Sequence, residues 1–116
     1  MDETMSASPG PVMVTEWISE KGAVERRLRS YLSRDRTGIR REVLRLFVTT
    51  RSLTIAELVA KLKRQFAVTF QAIASMVGTI ASRIGIIRAT RTSDGVHNYG
   101  LKEKYVGIVV GIVGAS

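Results

Sequence analysis

The sequence has no cysteine and only one histidine among its 116 residues. The first absence excludes disulfides, thiolate metal sites and cysteine nucleophiles together. The second leaves His97 without a like partner, so a histidine-rich metal centre is excluded as well. Aromatic side chains are few, and no cluster of them forms the stacking platform that readers of single-stranded nucleic acid use. The longest apolar run, Tyr105 to Val113, is far short of the roughly 20 residues that a membrane-spanning helix needs. The opening residues are polar and acidic, which argues against a signal peptide. There is no glycine-rich phosphate loop, no His-Glu-x-x-His, no pair of carboxylates on one helix face and no serine with a usable histidine. The expectation is a soluble cytoplasmic protein that is not an enzyme and carries no metal or cofactor.

What is present is positive charge. The chain carries 18 Lys+Arg against 10 Asp+Glu, a net charge of +8. The charge is also unevenly placed. Asp2, Glu3, Glu16 and Glu20 all precede Lys21, so the remainder holds every basic residue against six acids, a body of +12. From Arg26 to Arg51 nine arginines face only Asp35 and Glu42. A body this basic points to a polyanionic partner. Hydrophobic residues at 45% are enough to build one core, and the length allows one domain.

The most organised stretch runs from Leu53 to Leu101. Thr54 followed by Glu57 is a capping box, and Leu53 with Leu58 is the matching hydrophobic staple. Leu58, Leu62 and Phe66 then recur at helical spacing, predicting a helix of roughly three turns. After a short turn Thr69 caps a second helix, with Val68 and Ile73 as its staple. Ile73, Val77, Ile80 and Ile84 share one face of it, and Gly85 supplies a left-handed stop. Two capped amphipathic helices this close must cross steeply, as in a helix-turn-helix. The period then becomes that of a strand. Ile87, Ala89 and Arg91 alternate with Arg88 and Thr90, Asp94-Gly95 makes a hairpin turn, and Tyr99 and Leu101 return in one phase.

The run from Thr69 to Leu101, with its Ser-Arg-Ile-Gly-Ile-Ile-Arg junction and Tyr-Gly-Leu close, resembles the recognition helix and wing of winged-helix proteins. The whole chain is similar to a family of small archaeal winged-helix proteins of unknown function from methanogens. This resemblance implies a mainly α fold with a small β-hairpin, and a role in binding DNA. It also implies that the second helix enters the major groove while the wing lies along the neighbouring minor groove or backbone.

The rest of the chain reads as support. Residues 1–18 read as a flexible acidic tail from which only Trp17 and Ile18 dock, leaving 19–116 as one winged-helix domain with its core at 37–101. Ala23 to Leu32 is an added amino-terminal helix burying Val24, Leu28, Tyr31 and Leu32. A charged linker, 33–38, leads to a helix from Ile39 to Thr49, which buries Ile39, Val43, Leu46 and Phe47. That helix carries Arg41 and Arg45 on its outer face and Arg40 at the margin. Ser52-Leu53 is a candidate short strand against the wing. The extension 102–116 fits either a helix, through Tyr105, Ile108, Val109 and Ile112, or a strand, through its Val and Ile content; helix is the choice. It either closes the domain's own core or forms a homodimer contact through Gly107 and Gly111.

These readings converge on double-stranded DNA binding, by a small transcription regulator or a less selective, nucleoid-associated factor. Rotating away from the apolar face of the second helix leaves Gln71, Ser75, Gly78 and Ser82 outward, flanked by Thr79 and Arg83, with Thr69 at the amide-rich end. Of these only Gln71 suits bidentate reading of adenine, so base readout should be weak. Around the wing, Arg88, Arg91, His97, Lys102 and Lys104 are the expected contacts. Arg40, Arg41 and Arg45, with the helix end at Thr54, form an expected phosphate patch. The alternative is a winged-helix module that binds protein within a transcription or replication assembly. No small-molecule ligand is expected, because no ligand-domain length remains.

Overall fold

The computed structural model describes the chain from Pro9 to Gly114, with side chains from Glu20 onward. Helix α1 runs from Pro9 to Ser33. It therefore starts well before the expected Ala23, and over 9–18 the backbone is helical where an irregular tail was expected. The reason is local: Pro9 and Pro11 both fall in the first turn, where an amide proton has no intrahelical acceptor and its loss costs nothing. Residues 1–8, and the expected docking of the Trp17 and Ile18 side chains, lie outside the described part. Val24, Leu28 and Leu32 are buried on one face, with Tyr31 half-buried beside them.

Helix α2, Ile39–Thr49, has the expected bounds. Its inward set differs: Val43, Leu44 and Phe47 are buried, whereas Ile39 and Leu46 are only half-buried. Helix α3 spans Ile55–Leu62, and α5, the carboxy-terminal helix, spans Val106–Val113; α2 packs against both. An apolar stripe read for one neighbour is too narrow for a helix with two. Helix α3 is also shorter than the expected three turns; Phe66 lies beyond it in the connecting turn, still half-buried.

The capping box is formed as read: the Glu57 amide donates to Thr54 Oγ1 at 3.0 Å, and the Thr54 amide donates to Glu57 Oε1 at 2.8 Å. The staple leucines Leu53 and Leu58 are both buried. Helix α4, Phe70–Thr79, begins with the Ala72 amide donating to Thr69 Oγ1 at 3.1 Å. Ile73, Val77, Ile80 and Ile84 are all buried, so the predicted face is the real one. The last turn, Ile80–Ile84, is π-helical, closed by the Gly85 amide on Ile80 O at 3.0 Å. That wider turn keeps Ile80 and Ile84 on the core side until Gly85, at φ 80, ends the helix.

The wing is an antiparallel pair, β1 Ile87–Arg91 and β2 His97–Leu101, in the register Ile87 to Leu101 and Arg91 to His97. Its other long edge is held by Leu53, which exchanges both backbone hydrogen bonds with Tyr99 at 2.9 and 2.8 Å. This bears out the short strand expected at Ser52-Leu53. Gly100 is dictated by that contact, because a Cβ there would collide with the carbonyl oxygen of Arg51. A 3-10 turn, Glu103–Tyr105, leads into α5, so the carboxy-terminal extension is helical as chosen. Tyr105, Val109 and Val113 complete the core against α1 and α2, and among the described residues no polar or charged side chain is buried. The result is a mainly helical, winged-helix-like fold carrying a two-stranded hairpin.

Candidate nucleic-acid interface

Helices α3 and α4 meet through the turn 63–69, and the wing follows α4 directly, so the exposed side of α4 and the hairpin are successive parts of the chain. On that side Gln71, Ser75, Gly78, Ser82 and Arg83 are exposed and Thr79 is half-exposed. Two of the hydroxyls turn inward along the helix: Thr79 Oγ1 donates to Ser75 O at 3.1 Å, and Ser82 Oγ donates to Gly78 O at 2.8 Å. Their protons are thereby used, which leaves Gln71, Ser75 and the flanking Arg83 as the side-chain donors on this face. Thr69 and Thr54 hold their caps and mark two amide-rich helix ends.

The wing presents Arg88, Arg91 and His97 in exposed positions. The Arg91 guanidinium lies beside Gly95 at the turn, and the His97 ring is tilted against Tyr99 with centroids 6.3 Å apart. Gly95, at φ 87, lets the loop close through the Thr92 amide on Val96 O at 2.9 Å. Asp94 stands at the tip. The Thr92 hydroxyl and then the Val96 amide hold its carboxyl below the usual range, so the tip carries a negative charge among the arginines.

The expected phosphate patch is not a free cationic surface. Arg40 lies over the Tyr31 ring at 4.3 Å and donates to Tyr31 O at 2.8 Å. Arg41 Nη1 donates to Ile112 O at 2.8 Å, and Arg45 Nε donates to Val113 O at 2.9 Å. These two arginines cap the last carbonyls of α5, where a cation also meets the negative end of the helix dipole. The outer-face placement read for Arg41 and Arg45 is corrected by α5 itself, which packs across that face. Lys104 is likewise engaged. It pairs with Glu20 of α1 at 3.1 Å, and Tyr105 donates to the same carboxylate oxygen at 2.6 Å. The hydrogen bond from Tyr105 and then that from Lys104 lower the Glu20 pKa, while the Lys104 and Tyr105 pKa values are raised, each chiefly by Glu20. Lys102 is half-buried.

Other cations take their place. Lys61, Lys63 and Arg64, at the end of α3 and in the turn before α4, are exposed. Together with Arg83, Arg88 and Arg91 they make no ion pair among the described residues. The Lys-x-Lys-Arg run was visible in the sequence beside the turn; reading helix faces alone passed over it. Phe70 was missed too. It opens α4 and is 59% exposed, an aromatic ring in water at the end of the helix that the resemblance would place against DNA. No cluster of His, Asp or Glu able to hold a metal ion occurs among the described residues, and none of their helices is long and apolar enough to cross a membrane.

Comparison with known proteins places the chain without naming an activity. No solved structure matches it. A protein of Archaeoglobus fulgidus described as an uncharacterized protein is 39% identical over 94 residues, covering 79% of this chain and 94% of its own. The model of a family described as protein of unknown function (DUF2551) matches residues 28–109, from the last turns of α1 to the middle of α5, and the chain belongs to that family.

Proposed function

We propose that this protein binds double-stranded DNA, as a small transcription regulator or a nucleoid-type factor, with α4 in the groove and the wing on the backbone. The observation that carries the reading is the contrast between two sets of arginines. Arg40, Arg41 and Arg45 serve the fold, whereas Arg83, Arg88 and Arg91 stand exposed without a partner on α4 and the wing that follows it. Unpaired guanidiniums beside a capped, exposed helix suit phosphate oxygens. Base readout stays weak in this reading, resting on Gln71 and Ser75.

A fluorescence anisotropy titration of duplex DNA across a salt series tests it. With about four phosphate contacts, log affinity against log salt should slope at roughly −3 to −4. Replacing Arg88 and Arg91 by Gln should weaken binding and flatten the slope by about 2. Replacing Arg41 and Arg45 should change stability while leaving the slope in place. Absence of duplex binding at low salt would overturn the reading. Phe70 favours a second one, a protein-docking module, since an exposed aromatic ring beside small residues is what a helix-binding surface offers. In that case Phe70→Ala would abolish partner binding while DNA binding was absent throughout.

A further inference from the structure

A groove of about 580 Å³ opens between the end of α2, the wing and the 3-10 turn before α5. Its size suits a small metabolite. Arg51 and Arg88 both line it, one from the α2–α3 connection and one from β1. Neither makes an ion pair or a side-chain hydrogen bond among the described residues. Glu103 lines the same groove and pairs with neither arginine, so two cations and one acceptor stand there uncombined. Thr90, the half-buried Tyr99 and Ser52, whose hydroxyl donates to Asn98 Oδ1 at 3.2 Å, complete the lining that matters here.

We infer that this groove binds a nucleoside monophosphate. Each part of such a ligand has a counterpart of the right chemistry. Two guanidiniums take the phosphate, and the hydroxyl side chains suit the ribose. The flat base covers apolar and aromatic surface while its amino group donates to Glu103. A simple aliphatic anion would leave Glu103 and the Thr90 hydroxyl unused, and a neutral aromatic would leave the arginines unpaired. The site contrasts with the lack of a ligand pocket expected from chain length, because it is made from the seam between existing elements and needs no added domain. It shares Arg88 with the proposed duplex interface, so AMP and duplex should compete where both bind.

The test is a 1H–15N NMR titration of the full chain with AMP, and separately with adenosine, inorganic phosphate and a short DNA duplex. AMP should shift the amides of Arg51, Ser52, Gly100 and Glu103 saturably, while adenosine and inorganic phosphate each bind far more weakly. Arg51→Gln or Arg88→Gln should lower AMP affinity roughly tenfold or more. Arg36→Gln, which removes an exposed charge in the α1–α2 connection, should not, and the spectra themselves report that each variant is folded. The inference is overturned by any of four results: no saturable shift with AMP, inorganic phosphate binding as tightly as AMP, an AMP affinity unchanged by Arg51→Gln, or the same amides responding to the duplex alone.

Discussion

Asp35 shows how much a single side chain can do without announcing itself. Its two carboxylate oxygens each accept one backbone amide at the start of α2, from Arg40 and Arg41, both at 3.0 Å. The sequence places it in a charged linker, because the cap lies five and six residues from the amides that donate to it and matches no capping-box spacing. By contrast Thr54 with Glu57 and Thr69 with Ala72 were legible, since both bonds close within three residues. Asp35→Ala should cost about 1 kcal/mol, read as a lower denaturant midpoint with an unchanged slope. Gly100 is a second case. Its neighbours Tyr99 and Leu101 signal a strand, but the Arg51 carbonyl that forbids a Cβ is 49 positions away in the sequence. Gly100→Ala should destabilise by roughly 1–3 kcal/mol through displacement of the Leu53–Tyr99 pairing, measurable as faster amide exchange at Tyr99.

At the scale of elements, the helices and hairpin were readable because their signals are periodic, and their partners were not. Nothing local in Arg41 or Arg45 says that a helix some 70 positions later needs capping, so a face-by-face reading assigned them to solvent and hence to phosphate. The same blindness hid Leu44, which only a second packing neighbour buries. The link between α1 and the carboxy-terminal turn has a pH signature of its own. Glu20, held below its ordinary 4.5, favours folding above that value, and the contribution is lost as pH falls through the lowered value. Tyr105 and Lys104, raised above 10.0 and 10.5, favour folding below those values, and that contribution is lost as pH rises through the raised ones. Thermal midpoints should therefore fall at both ends of the pH range, and Glu20→Gln should flatten both flanks. At the wing tip, Asp94→Asn removes a carboxylate from the residue before Gly95, against which the Arg91 guanidinium lies; on the DNA reading it should raise duplex affinity about 2- to 5-fold at low salt, and less at high salt.

For the whole molecule, net charge overstates how many cations stand available to a partner. The body of +12 is real, yet part of it holds the protein together: Arg40 on Tyr31, Arg41 and Arg45 on α5, Lys104 on Glu20. Counting those cations as free would overstate the salt dependence; on the DNA reading about four contacts remain, for a slope of roughly −3 to −4.

The capping of α5 by α2 also sets a timetable for synthesis. The residues between Thr49 and Val113 must be translated before Val43, Leu44 and Phe47 acquire their last cover. At roughly 5–20 residues per second that interval is about 3–13 seconds. Once Ile84 has been made, the nascent chain carries both helices of the α3–α4 pair beside an apolar seam that is still open. That seam is the last to close, and it closes only when two arginines made early find two carbonyls made late.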